Sequence, residues 1–359
     1  MGLHELTLRN FRPFNEFVFR PDPTAVTVLL SPNGTGKTSI LEAVYALATA
    51  SSFRTTSAGD MIRTNCDLAE IHGVLFQNER RIQIDLNLHR GVRNTTKRML
   101  VNGQRPTSRA AVAEVLPLTV FTPEGVDVVR QGPDHRRTLI TNLLTDVTPH
   151  LGETIERFAK VLQQRNALLR AFQGVRPSLV QRDELNVWDS EFCAAGELLV
   201  AARQDLLTEL SPLVAHFYQE LAHDTQSVTT NYETSWSGDL LMALRTALDD
   251  DVHRGYSTIG PHRDDVVFQL DGRDARRQAS QGEQRSLALA VRLAGHELVL
   301  RQRGVSPLLL LDDVFSELDP VRSDRLLQLL PTGQTLVTTA SPLPLAMTPA
   351  VIVDVTVGE

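Results

Sequence analysis

Val28-Leu-Leu-Ser-Pro-Asn-Gly-Thr-Gly-Lys-Thr-Ser-Ile-Leu-Glu42 is the stretch whose reading decides the fold. The apolar run from Val26 to Leu30 reads as a buried strand, and Gly34 and Gly36 mark a turn. Ile40, Leu41, Val44 and Leu47 then fall on one face of a helix from Thr38 to about Ala50. A strand, a glycine turn and an amphipathic helix form the setting of a phosphate loop, whose pattern is glycine, four free positions, then Gly-Lys-Ser/Thr. Ser31 stands in the first glycine position, and Gly36, Lys37 and Thr38 fill the rest. Glycines let backbone N–H groups turn toward an anion, and the helix start offers its positive end to the same charge. The expected phosphate-binding set is therefore Ser31, Pro32, Asn33, Gly34, Thr35, Gly36, Lys37, Thr38 and Ser39. Lys37 would reach the β and γ phosphates, and the Thr38 hydroxyl would hold Mg2+.

A second element completes that chemistry. Leu308 to Leu311 are four apolar residues in a row, the mark of a strand buried on both faces, and they end in Asp312 and Asp313. Asp312 is expected at the metal and Asp313 at the attacking water. No Asn-Lys-x-Asp guanine element is present, so ATP is the expected nucleotide. A kinase would need an acceptor pocket, which the sequence does not identify.

Around these motifs the chain of 359 residues is long enough for two domains. Strand patterns dominate the first part, including Ile82 to Leu88 with clean alternation and Asn102-Gly103 as a hairpin turn. From about Pro149 the periods become helical: Leu151, Ile155, Phe158 and Leu162, then a helix from about Val187 through Leu210. These two read as an antiparallel pair, too short for a long coiled coil. Strands return after about Tyr256, followed by a helix from Gly282 to about Arg301 and the strands near Leu308, Gln334 and Val351. The expected fold class is α/β, a nucleotide-binding domain split by a mainly helical insertion. Its parts are 1–145 and 251–359 for the split domain and 146–250 for the insertion.

The balance of 36 Lys+Arg against 43 Asp+Glu excludes a general polycation but not a local basic face. Cys66 and Cys193 have no metal-ligand spacing and no disulfide framework around them. No secretory leader pattern and no apolar run of membrane-spanning length is present, so a cytoplasmic protein is expected.

Ser280-Gln-Gly-Glu-Gln-Arg285 precedes Asp312 by 32 residues and leads into a helix. It resembles the signature of ABC-type ATPases, and Asp312-Asp-Val-Phe-Ser-Glu-Leu-Asp319 resembles a Walker B strand running into a D-loop. Further blocks narrow the match: Leu6-Thr-Leu-Arg-Asn-Phe-Arg12, Phe121-Thr-Pro-Glu124, Pro133 with Arg136-Arg137, and Tyr256-Ser-Thr-Ile-Gly-Pro-His-Arg-Asp-Asp265. Together they resemble the bacterial RecF family of recombination proteins, related to SMC-type head domains. That resemblance implies an ABC-type ATPase head that dimerises on ATP. Ser280, Gly282 and Glu283 would then touch the nucleotide of the other subunit, and Ser280, Gln281, Gly282, Ser316 and Asp319 would lie at the dimer seam. It also implies binding to double-stranded or gapped DNA, and action with RecR and RecO to place RecA on single strands. The catalytic set becomes Lys37, Asp312, Asp313 and Ser280. Asp313 stands where most relatives of the superfamily carry glutamate, and no switch histidine follows Val337-Thr-Thr339, so slow hydrolysis is expected. The Q-loop residue is either Gln131 or Glu124.

Between Arg80 and Arg105 stand seven basic residues, Arg80, Arg81, Arg90, Arg93, Lys97, Arg98 and Arg105, against the single acid Asp85. The first six are the expected DNA contacts; a solvated hairpin face is the competing reading. Arg136 and Arg137 are further contact candidates. His262, with Arg263, Asp264 and Asp265, reads either as a local salt-bridge knot or as a support for an ATP-bound dimer; a metal site lacks a second ligand cluster. No recognition helix, zinc finger or aromatic-rich strand points to base-specific readout.

Overall fold

The computed structural model describes residues 2–355, except 78, 93, 173, 224, 341–342 and 345–346. The strands in chain order are β1 (Gly2–Phe11), β2 (Phe14–Phe19), β3 (Val26–Leu30), β4 (Leu68–Gln77), β5 (Arg80–Arg90), β6 (Thr95–Val101) and β7 (Leu118–Phe121). They continue as β8 (Val228–Glu233), β9 (Asp265–Leu270), β10 (Arg273–Asp274), β11 (Leu308–Asp312), β12 (Thr335–Thr339) and β13 (Val351–Asp354). The chain forms two compact units, the first made of 1–125, 220–223 and 289–359, the second of 126–219 and 224–288.

In the first unit, β13-β3-β12-β11-β7 form a parallel sheet, and β2-β1-β4-β5-β6 an antiparallel one. Helix α1 (Lys37–Thr49) packs against β4 and β5 of one sheet and against β7, β11 and β12 of the other. Contact on both sides explains why α1 is buried nearly all round. Ile40, Leu41, Val44 and Leu47 join Leu6, Leu8, Ile84, Leu86, Leu310 and Leu336 in one apolar cluster. Each such side chain contributes about 1.5–3 kcal/mol on burial. The order β3-β12-β11 sets the end of β3, which opens the phosphate loop, one strand away from the end of β11, where Asp312 and Asp313 emerge. The hairpin turn at Asn102-Gly103 forms with positive φ at both residues and a bridge from Val101 to Gln104.

The second unit holds the helices Gly152–Ala171 and most of Leu179–Ala222, with the small antiparallel sheet β10-β9-β8. Phe158 packs against Phe192, and Leu169 shares a cluster with Leu185, so the two helices run antiparallel. The compact division differs from the expected 145/146 and 250/251 boundaries. Residues 126–145 and 251–288 are part of the second unit because helix Pro133–Val147 lies against β9, and β9 pairs with β8. A strand-to-helix change in composition does not report such pairing.

Candidate functional site

The phosphate loop leaves β3 at Ser31. Gly34 and Gly36 both take positive φ, at 86° and 92°, and a Cβ on Gly36 would lie 2.7 Å from Phe14 Cζ. Only glycine fits at position 36, where the chain turns into α1. Lys37 folds its ammonium back over the loop, donating to the Ser31 and Pro32 carbonyls, the latter at 2.7 Å. Burial lowers the Lys37 pKa, opposed by the charges of Asp313 and Asp312.

Thr38 Oγ1 donates to Asp312 Oδ1 at 2.8 Å, and Thr338 Oγ1 donates to the same oxygen at 2.6 Å. Thr338 also receives the Asp313 N–H, on its carbonyl at 3.1 Å and its hydroxyl at 3.0 Å. Burial raises the Asp312 pKa, while the Thr338 and Thr38 hydrogen bonds oppose that rise. Asp313 sits in the left-handed region with φ 48°, and its Oδ1 is buried with no hydrogen-bond partner among the described residues. A cleft of about 360 Å³ is lined by Asn33, Gly34, Gly36, Lys37, Thr38, Ser39, Asp313 and Thr338, with Arg12, Pro13 and Arg54 alongside.

Sequence reasoning missed three of these groups. Thr338 carries no motif; only the pairing of β12 with β11 in register, Thr338 opposite Asp312, brings it to the acids. Arg12 and Arg54 are held at the cleft by Glu42, which is fully buried on α1. Arg12 clasps both carboxylate oxygens, at 2.8 and 2.5 Å, Ser52 Oγ donates at 2.5 Å, and Arg54 at 3.2 Å. An acid on the apolar face of α1 was the available signal, since a fully buried carboxylate requires a cation partner.

The Ser31 hydroxyl is turned from the cleft: it donates to Asp354 Oδ1 at 2.6 Å and accepts from Val355 N at 2.8 Å. Its carbonyl accepts from Lys37. Thr35 Oγ1 donates to Pro32 O at 3.0 Å, outside the cleft lining. Ser280 and Glu283 form a capping box, with Ser280 N on Glu283 Oε2 at 2.6 Å and Glu283 N on Ser280 Oγ at 3.3 Å. Ser280 and Gln281 are exposed at the start of helix Gln281–Arg303, and Gly282 is half-buried. Ser316 bonds Asp313 O, and Asp319 caps helix Pro320–Leu329; both are exposed. Glu124 follows β7, whose Phe121 pairs with Leu311, and its charge helps raise the Asp312 pKa. Glu124 is therefore within electrostatic reach of Asp312, whereas Gln131 is in the second unit, its carbonyl accepting from Arg136.

The basic segment is not one face. Arg90 donates to the Cys66 and Gly59 carbonyls and Lys97 to Ala50 O, so these two are engaged in holding loops. Alternation separates them from Arg81 and Arg98, which point to the other side of the antiparallel sheet. There Asp85 pairs with His72 at 2.5 Å, and Glu70 and Glu16 accompany Arg9. Arg80, Arg81 and Arg98 remain exposed, and Arg93 lies outside the described residues. Arg136 is buried against Asp265, and Arg137 donates to Asp264 O, so neither is free for DNA. Among the described residues His262 is in no salt bridge: its Nε2 meets Ser257 O at 3.0 Å, and burial pushes its pKa down to about 4.

Thr38, Asp312 and the unpartnered Asp313 oxygen form a hard oxygen set suited to Mg2+ shared with phosphate. No cluster of three His, Cys, Asp or Glu side chains fit to hold a metal occurs among the described residues. Nor is any described helix long and apolar enough to cross a membrane.

A phosphate loop and an acid-ended strand on neighbouring parts of a parallel sheet, with a capped signature helix, define a P-loop ATPase head of the ABC type. The chain matches the RecF/RecN/SMC N terminal domain family over residues 2–349. It is 35% identical over 95% of its length to the DNA replication and repair protein RecF of Acidothermus cellulolyticus, covering 94% of that protein. It is 34% identical, with the same coverage of 95% and 94%, to the protein of that name from Streptomyces avermitilis. A solved structure of the recombination mediator protein RecF-ATP in the RecFOR pathway superposes with a TM-score of 0.87 at 24% identity, covering 95% of this chain and 92% of that one. This last likeness speaks to the fold. The chain belongs to the RecF family of DNA replication and repair proteins.

Proposed function

We propose that this chain is a cytoplasmic, ATP-operated DNA-binding protein of recombinational repair that dimerises on ATP at gapped or junction DNA. With RecR and RecO it would promote loading of RecA onto single strands. The observation that carries the reading is the convergence of Lys37, Thr38, Thr338 and the unpartnered Asp313 oxygen on one cleft, with Asp312 bonded to Thr38 and Thr338, in a chain of this family. Lys37 exchanges carbonyl partners for phosphate oxygens when the nucleotide enters. Arg12 and Arg54, steadied by Glu42, add two cations at the mouth. Mg2+, held by Thr38 and Asp312, would neutralise charge on the phosphate oxygens. Asp313 accepts a hydrogen bond from the attacking water, and Thr338 fixes the Asp313 backbone for that task. The exposed start of helix Gln281–Arg303 suits the γ-phosphate of a nucleotide held by a second copy. DNA that favours the closed dimer raises its population by linkage, and hydrolysis releases it.

Aspartate at position 313 and the lack of a histidine after β12 favour slow turnover. They also motivate a second reading, an architectural module in which ATP-driven closure matters more than hydrolysis. Sedimentation of wild type and Ser280→Arg without nucleotide, with ADP and with a non-hydrolysable ATP analogue tests the core of the proposal. Dimer formed with the analogue alone, and lost in a variant that still binds the analogue, supports it. A wild type that stays monomeric with analogue bound removes its central step.

A further inference from the structure

The block Tyr256 to Asp265 takes no part in the phosphate cleft, yet nearly every residue in it is anchored. Ser257 donates from both N and Oγ to Asn166 Oδ1 at 2.7 Å and accepts from Arg165 Nη1 at 2.8 Å. Thr258 donates twice to Asp251 Oδ1, at 2.8 and 2.6 Å. Gly260 N meets Ser235 Oγ at 2.8 Å, and Asp264 receives the Tyr232 hydroxyl at 2.6 Å. Beneath the loop, Arg165 is fully buried between Asp189 and Asp251, each at 2.7 Å. Withdrawing these ions from water costs several kcal/mol apiece, so such a network sets geometry more than it adds stability.

Two side chains of the block are left over. Tyr256 is 37% exposed, and the exposed Arg263 guanidinium lies over its ring at 5.1 Å. Arg254 is exposed two residues before Tyr256, which raises its pKa, and the exposed Arg170 lies against Gly255. Asp250, itself exposed, lies 3.6 Å from Arg254. A rigid loop thus holds an aromatic ring and guanidinium forks at the surface, all within the second unit.

We propose that Tyr256, Arg263 and Arg254 form a contact surface for single-stranded DNA, the guanidinia on its phosphates and Tyr256 against an unstacked base. Guanidinium forks match phosphate geometry, and an exposed ring beside them suits bases that a duplex would keep stacked. The inference rests on the DNA-binding reading above and assigns that reading a surface on the second unit.

The test is fluorescence anisotropy of a labelled oligothymidylate with the full chain and a non-hydrolysable ATP analogue, across a salt series. Arg263→Glu and Tyr256→Ala should each weaken binding about tenfold. Arg263→Glu should also lower the log–log salt slope by about 0.7 for each phosphate that the side chain no longer neutralises. Arg254→Glu should act in the same direction, and Arg263→Lys should retain most of the salt slope. Fluorescent-nucleotide binding and thermal midpoint should stay at wild-type values in all four. Wild-type DNA binding with all variants within twofold and an unchanged slope overturns the surface and leaves the DNA-binding reading standing. Absence of wild-type DNA binding in every nucleotide state defeats that reading and the surface with it. Displacement of the oligonucleotide by polyglutamate of matched charge, as effective as by unlabelled oligothymidylate, assigns the patch to acidic polypeptides and overturns the proposal.

Discussion

Glu42→Gln isolates the charge that holds the two arginines at the cleft. In the native chain Glu42 has no solvent exposure, Arg12 is 18% exposed, and two oxygens accept from Arg12, Ser52 and Arg54. The amide removes the negative charge and turns one acceptor into a donor aimed at a guanidinium. Breaking a buried pair by altering one partner costs about 3–5 kcal/mol. Arg54 is 41% exposed and can relax into water, so the expected loss is about 3 kcal/mol, the low end of that range. Native-state hydrogen exchange should show this as roughly a 100-fold loss of amide protection in α1 and β1, since about 1.4 kcal/mol is a factor of ten. The double variant Glu42→Leu with Arg12→Met should recover most of the loss, because an apolar pair leaves no unpaired charge. Protection in Glu42→Gln within a factor of two of wild type would refute the reasoning, as would a double variant no more stable than the single one.

Gly36→Ala should cut ATP affinity more than tenfold in a fluorescent-analogue titration, since its Cβ would lie 2.7 Å from Phe14 Cζ and its φ of 92° is strained for alanine; wild-type affinity would show that the loop relaxes freely. Asp313→Asn should retain ATP binding, because asparagine tolerates the φ of 48°, while phosphate release falls about 100-fold or more; undiminished release would remove Asp313 from catalysis. Burial pushes His262 and His296 each down to about 4, from an ordinary value near 6.5. The unfolded chain then binds more protons between those values, so their contribution is fully present above about pH 6.5 and is lost as pH falls toward 4. The loss is about 3 kcal/mol per histidine across that window. Thermal midpoints should fall steeply from pH 7 to pH 5 and less so in His296→Gln; a flat profile would contradict the burial argument.

The sequence by itself determined the phosphate loop, the strand that carries Asp312 and Asp313, the helix behind the signature and the α/β class. These are short-range features: glycine placement, apolar runs and periodicity are set by backbone sterics and burial within a few residues. Only the tertiary structure decided which groups surround the acids. Thr338 reaches Asp312 through strand register, Glu124 through the pairing of β7 with β11, and Arg12 and Arg54 through a carboxylate buried on α1. The same holds for the basic segment. Its composition looked like one DNA-binding face, but strand alternation sent Lys97 and Arg90 to loop carbonyls and left Arg81 and Arg98 on the opposite side. A charge count along the chain cannot contain that outcome, because the side a strand residue faces is fixed by which layer buries its neighbours.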